Sequence, residues 1–422
     1  MKILVVGSGG REHAIIKKLK ENPAVDTVFA LPGNGGIAAD AICVPIGACE
    51  LDKITQFAVR EGIHFAVVAP DDPLVLGCVD RLEEAGIPCF GPRANAAILE
   101  GSKVFAKNLM KKYGIPTAAY AVFSRMDAAL EYLKDAPIPT VIKADGLALG
   151  KGVTVAMTRE EAVAAVREAM QDKKFGKSGE QIVIEEYLTG PEVSVLAFTD
   201  GTTIKPMISS MDHKRAQDGD KGPNTGGMGT IAPNPYYTDE IAKRCMTEIF
   251  EPTIAAMRAE GHPFRGCLYF GLMLTKDGPK VIEYNCRFGD PETQVVLPLM
   301  ESDLLHVMQA VANGTLADTE VRFRAGAACC VILASEGYPA SYTTGYEIQI
   351  PEADRAFVMV AGATVKNRKL VTSGGRVLGV CAVGATLKQA ITNAYQRVER
   401  ISFAHAYYRH DIGKKALEYT EV

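Results

Sequence analysis

Apolar residues recur with two rhythms along this chain of 422 residues, and the changes of rhythm divide it into parts. Over the first hundred residues, short apolar runs at 3–6, 27–30, 42–46, 65–69 and 88–90 alternate with helical patterns at 51–60 and 73–85. Unbroken apolar runs separated by helices are what strands buried on both faces look like, so this segment predicts a doubly wound parallel sheet. A helix over 98–112, with Val104, Phe105, Leu109 and Met110 on its apolar face, leads out of it.

From about Tyr120 to Tyr187 the unit is smaller, with strands at 140–144, 153–157 and 181–186. Thr158 and Glu161 form a capping box for a helix running to about Met170. Glycine-bearing loops at 145–152 and 175–179 make this unit a candidate lid. After Gly190 and Pro191 the strands alternate and pair through turns. Segments 192–198 and 204–209 flank Asp200-Gly201, and 267–274 and 280–285 flank Asp277-Gly278, both hairpin dipeptides. Between them, Ile241, Cys245 and Ile249 mark one stripe of a helix, and from Ala325 strand, turn and helix recur up to a last helix at 387–401. The expected division is 1–102, then 103–120 with 190–324, then 121–189, then 325–422.

Composition narrows the possible partners. The 46 basic and 50 acidic side chains nearly cancel, to a net charge of -4, and no long run of Lys or Arg occurs, so neither nucleic acid nor a membrane surface is indicated. No stretch approaches the ~18 apolar residues of a membrane span, and the apolar start is too short for a signal-peptide core. A cytoplasmic protein is expected. Its ten cysteines include no Cys-x-x-Cys and its seven histidines do not cluster beside them, which favours reduced thiols over a zinc or disulfide framework.

Gly7-Ser8-Gly9-Gly10 follows the first strand and opens a helix beginning Arg11-Glu12-His13, so backbone N–H groups, the helix dipole and Arg11 together suit a phosphate. Glu12 stands where a dinucleotide fingerprint needs its third glycine, and the second strand ends Pro32-Gly33-Asn34 without a ribose-binding acid, so a nicotinamide cofactor fits poorly. His13 reads equally as a helix-surface residue. Lys143 precedes the loop from Asp145 to Gly152, which is one residue short of a Walker A loop and has Gly152 where Ser or Thr should follow Lys151. Such a loop can still fold over phosphates. Glu185-Glu186-Tyr187-Leu188 ends an apolar strand whose backbone suits a purine edge, and Glu192 could accept from ribose hydroxyls. Strand periodicity puts Glu283 and Asn285 on one face as two hard oxygen ligands for Mg2+, and Arg287, on that face if the strand continues, suits a phosphoryl or carboxylate group. Asp212-His213-Lys214-Arg215 opens a long polar loop ending in glycines at 226–229, of a kind that grips substrates. The plain alternatives are a tight turn only for Gly7 to Gly10, a solvated turn for the second glycine loop, surface glutamates at a strand end, a salt-bridge network around 283–292 and a mobile surface loop at 212–229.

Gly7 to His13, Pro32-Gly33-Asn34, Leu99-Glu100-Gly101-Ser102-Lys103, and segments 142–153, 212–215, 222–229 and 283–294 together resemble the glycinamide ribonucleotide synthetase family of the ATP-grasp superfamily, over nearly the whole chain. The resemblance implies an α/β and α+β multidomain protein: a doubly wound parallel sheet (1–102), an ATP-grasp core (103–120 and 190–324) with a small lid subdomain (121–189), and a C-terminal mixed α/β domain (325–422). It implies that ATP and glycine form glycyl phosphate, from which the amine of 5-phosphoribosylamine displaces phosphate, a step of purine biosynthesis. By the same likeness Lys103, Lys143, Lys151, Gly152, Glu185, Glu186, Leu188 and Glu192 hold ATP, and Glu283 and Asn285 hold Mg2+ or Mn2+. Arg287, Asp212 and Lys214 are catalytic, and Gly9, Gly10, Arg11, Asn34, Asn224, Asp290 and Glu292 bind the substrates. Small-molecule partners only, and a monomer, are expected. Two positions depart from the pattern: Leu149 replaces a small residue of the glycine loop, and strand 268–274 lacks the acid that many ATP-grasp relatives use as a second metal ligand. The competing expectations are an ATP-grasp carboxylase component using bicarbonate, a non-catalytic nucleotide-binding regulator and, more remotely, a dehydrogenase.

Overall fold

In the computed structural model, which describes residues 1–147, 152–172, 174 and 176–420, the first strand Lys2–Gly7 lies at the centre of a five-stranded sheet. Thr27–Pro32 and Ile42–Cys43 extend the sheet on one side, Phe65–Val68 and Cys89–Phe90 on the other, and all neighbours are parallel. Leu4 and Val6 enter one apolar cluster while Ile3 and Val5 enter another, which is why the run carries no polar residue. Strand order reverses at Lys2–Gly7, so a crevice opens at its carboxyl end, where Gly7 to Gly10 lie. Three expected elements differ. The third strand stops at Cys43 instead of Ile46. The helix expected over 73–85 is two, Asp71–Val75 and Cys78–Glu84, separated by Gly77 at φ +89°. The helix expected over 98–112 is Ala94–Gly101 followed by Lys103–Tyr113, because Ser102 is extended and its hydroxyl caps the second helix at Phe105 N, 3.0 Å.

The central unit is an antiparallel sheet in the order Ile204–Pro206, Glu192–Thr199, Gly266–Thr275, Gly278–Asn285. Both expected hairpins form, and the register sets Glu283 opposite Gly271 and Asn285 opposite Tyr269. The small unit has its own four-stranded sheet and its own core, in which Ile142, Ile182 and Ile184 meet Ala129, Leu133 and Val166. It includes a strand, Tyr120–Phe123, and a helix, Met126–Tyr132, that the pattern did not reveal; all four residues of that strand are half-buried, so no alternation marks it.

The segment expected to be one polar loop is instead built of strands: Met211–Asp212, Arg215–Gln217, Lys221–Asn224 and Gly229–Ala232. The middle two form a hairpin, while Gly229–Ala232 pairs with Ala327–Ser335 at the heart of the last sheet and with Met211–Asp212 at its edge. Part of the central segment therefore completes the C-terminal sheet, whose other strands are Arg376–Gly384, Val358–Val360 and Ala406–Tyr407, with helix Leu387–Val398 against it. Among the described residues no helix is long and apolar enough to cross a membrane.

Candidate active site

Residues of all four parts line a cavity of about 900 Å³, floored by Gly266–Thr275 and Gly278–Asn285. Glu283 and Asn285 face it from the floor, as the strand period requires. Lys143, on the small unit, donates to Ile282 O at 2.9 Å and pairs with Glu185 Oε2 at 3.1 Å. Lys103 donates to Gly146 O at 2.8 Å, and Lys214 stands 3.4 Å from Glu192 and 3.7 Å from Glu283. Burial opposes a charge on Glu283, but Lys214, Lys143, Lys103 and Arg287 outweigh it and hold the carboxyl below its usual range. Among the described residues no group of three or more His, Cys, Asp or Glu could hold a metal alone. One carboxylate and one amide oxygen beside several cations fit a hard divalent ion that takes its other ligands from phosphates and water.

The strand ends at Asn285, yet Arg287 still reaches the cavity, because Glu100 steers it: Nη2 donates to Glu100 Oε1 at 2.8 Å and to Asn285 Oδ1 at 3.1 Å. Glu100 is fixed in turn by Cys286 N at 2.6 Å. Burial opposes the guanidinium charge, and Glu100 with Asp71 overcomes that opposition. Two side-chain atoms at this cavity are buried without a partner, Arg287 Nε and Glu185 Oε1. Lys107, which stands 3.2 Å from Glu185, has its pKa pushed down to about 8 by burial. Glu100 and Lys107 had no assigned role in the sequence reading. Lys107 was within reach of it, being one helical turn beyond Lys103 on the same face.

Asp212 and Glu292 meet at the other end. Ser194 Oγ lies 2.8 Å from Tyr269 Oη and 3.5 Å from Glu292 Oε1. Burial and then Glu292 raise the Asp212 carboxyl well above its normal value. Gly227, at φ +108°, packs so closely that a Cβ there would lie 2.6 Å from Asp212 Oδ1. His213 points away from the cavity centre: Nε2 accepts from Gly413 N at 3.0 Å and Nδ1 donates to Gly229 O at 3.1 Å. Burial, with Arg409 next, pushes its pKa to about 4. The unfolded chain binds this proton below about pH 6.5 and the folded chain does not until about 4, so acidification through that window removes stability. Thermal midpoints measured across it should fall for the parent and fall less steeply for His213→Gln.

The first glycine turn contains more than glycine. Gly9 N donates to Glu12 Oε2 at 2.5 Å, and Glu12 Oε1 accepts from Arg11 Nε at 2.8 Å, so the residue that breaks the dinucleotide fingerprint fills the turn with a carboxylate. Arg11 also donates to Phe288 O at 2.9 Å. Asn34 donates to Ser8 O and Val360 O and accepts from Gly36 N and Ile37 N, so its amide is fully engaged in shaping the neighbouring turn. His13 is buried, not on the helix surface: it bonds Asp40 at 3.0 Å and accepts from Val360 N at 2.8 Å. Asp290 stands beside Gly9 and Gly10 and accepts from Gln294 Nε2 at 2.7 Å. Glu186, Leu188, Asn224 and Gly152 line the cavity; Lys151 and Leu149 lie outside the described residues.

A doubly wound domain, a central antiparallel sheet and a small α+β unit closing on lysines, a metal-ready pair and an arginine define an ATP-grasp enzyme. The models of the phosphoribosylglycinamide synthetase N domain, ATP-grasp (A) domain and C domain match residues 1–100, 101–293 and 328–415. The chain is 46% identical to the phosphoribosylamine–glycine ligase of Caldanaerobacter subterraneus subsp. tengcongensis, over 98% of this chain and 99% of that one. A crystal structure of phosphoribosylamine–glycine ligase from Thermotoga maritima superposes with a TM-score of 0.88 at 36% identity, covering 98% of this chain and all of that one. The biotin carboxylase domain of the Hydrogenobacter thermophilus 2-oxoglutarate carboxylase, at 17% identity and a TM-score of 0.72 over 96% of this chain and 91% of that one, shares the fold. The chain belongs to the phosphoribosylglycinamide synthetase family.

Proposed function

We propose that this chain joins glycine to 5-phosphoribosylamine at the expense of ATP. A glycine carboxylate oxygen takes the γ-phosphoryl group and ADP leaves; the sugar-borne amine then attacks the carbonyl carbon of glycyl phosphate, phosphate departs with the C–O bond electrons and the nitrogen loses a proton. The convergence of Glu283, Asn285, Lys143 and Arg287 on one cavity, in a chain of this family, carries the reading. Lys103 and Lys143 neutralise transferring phosphate, the Glu185 to Leu188 edge and Glu192 hold adenosine, and Arg287 orients the carboxylate being phosphorylated. Glu283 and Asn285 would hold Mg2+ or Mn2+, which supplies charge neutralisation between phosphates. Asp212 and Lys214 line the site for glycine and the amine, Gly9, Gly10 and Arg11 hold the ribose phosphate, and Asn224, Asp290 and Glu292 bind the substrates. Residues 121–189 act as a lid that keeps water from the acyl phosphate. Ten free cysteines suit the reducing cytoplasm.

ADP formation with each substrate omitted in turn tests the reading. Release should require glycine, and sustained turnover should require phosphoribosylamine as well. ADP release driven by bicarbonate with no need for glycine would overturn it.

A further inference from the structure

We infer that Arg376, on the C-terminal sheet, is a positioning residue for the phosphoribosylamine end of the site, acting through the Gly226–Gly227 turn and Asp290. The inference rests on the function proposed above and adds a residue and a structural unit to it. Arg376 begins the strand Arg376–Gly384 and is 86 residues from Asp290 and 150 from Gly226 in sequence. Its Nη1 donates to Gly226 O, to Asp290 O at 2.8 Å and to Gly227 O at 3.4 Å, while Nη2 lies 3.5 Å from Asp290 Oδ2. A second residue of the same unit holds the preceding peptide, since Gly226 N donates to Tyr338 Oη at 3.1 Å. The C-terminal unit thus grips both polar atoms of Gly226.

What the grip fixes is the wall of the cavity. A Cβ on Gly227 would lie 2.6 Å from both Asp212 Oδ1 and Pro291 Cδ, so the turn is a wedge between Asp212 and the Asp290-Pro291 peptide. Asp290 carries the constraint on to the N-terminal domain, where its carboxylate faces Gly9 and Gly10. Three carboxylates, of Asp212, Asp290 and Glu292, crowd this end, and Arg376 sets a cation beside them without adding one to the cavity lining. Nη1 serves the three carbonyls while Nη2 faces the Asp290 carboxylate, a division between two nitrogens that a lysine ammonium cannot reproduce. The residues proposed to hold ATP, Lys103, Lys143, Glu185 to Leu188 and Glu192, and the pair Glu283 and Asn285, have no hydrogen bond to Arg376 among those of the described residues. A domain-gluing role alone would therefore disturb stability or all substrates alike, whereas a positioning role singles out one.

The test is steady-state kinetics of Arg376→Met, Arg376→Lys and Tyr338→Phe beside the parent, varying each substrate separately and recording thermal midpoints. The KM for phosphoribosylamine should rise about tenfold or more in Arg376→Met, less in Arg376→Lys and about threefold in Tyr338→Phe, with the KM for ATP within about twofold of the parent throughout. An unchanged KM for phosphoribosylamine, or an equal rise in all three KM values, overturns the inference; should Arg376→Met not fold, the other two variants decide on the same criteria. A parent enzyme that turns over without phosphoribosylamine would instead refute the proposed function, so the two failures are distinct.

Discussion

Glu283→Gln should fold and should form product at least ~10³-fold more slowly than the parent, because it removes the one carboxylate that the cavity floor offers a divalent ion. The same change should leave ATP binding in metal-free buffer no weaker, measured by calorimetry. Glu283 is an anion among Lys103, Lys143, Lys214 and Arg287, so deleting its charge leaves the cations available to phosphate. The paired readouts separate a chemical role from a structural one. A variant that merely misfolds loses both, and a variant with parental turnover removes Glu283 from the metal site. Gly271 strengthens the expectation. It is the residue directly opposite Glu283 on the neighbouring strand, where a side chain would share the same face, and having none it cannot replace the lost carboxylate.

That Glu283 and Asn285 share a face was legible because the Asp277-Gly278 turn fixes where the strand begins and the period of two does the rest. Arg287 was legible as a residue but not for its reason. The strand ends two residues earlier, and Glu100, 187 residues away, brings the guanidinium round. The 212–229 segment looked like a loop because glycine and charge dominate it locally. Its last strand, Gly229–Ala232, is held by partners that come 96 or more residues later, in Ala327–Ser335, and itself pairs Met211–Asp212; no local propensity records that. Arg376 and Tyr338 were invisible for the same cause: each sits in an ordinary strand or turn context, and only the closing of the C-terminal sheet brings them to Gly226. Glu12 is the converse, a departure from a motif that the sequence displayed plainly and the structure explains, since its carboxylate occupies the turn that the missing glycine would have left open.

Arg287→Met should cost about 10²–10³-fold in kcat/KM for glycine while leaving the KM for ATP near the parental value, since the guanidinium is placed to orient the carboxylate and not the adenosine. Its Nε is buried without a partner beside the cavity, while Nη2 is committed to Glu100 and Asn285; one donor is held in reserve for a ligand and the other holds the geometry. Arg287→Lys keeps the charge but cannot both anchor and donate, so it should recover only a small part of the loss. A stability signature accompanies the kinetic one. Glu100 is 8% exposed, and burial already raises its pKa against the opposing pull of Arg287. Without Arg287 the raised carboxyl disfavours the folded state increasingly as pH rises above its unfolded value near 4.3, because the unfolded chain gives up that proton first. Thermal midpoints of Arg287→Met should therefore fall further below the parent at pH 8 than at pH 5, and adding Glu100→Gln should restore much of the stability without restoring activity. Parental kinetics with glycine in Arg287→Met would remove the orienting role, whatever the midpoints do.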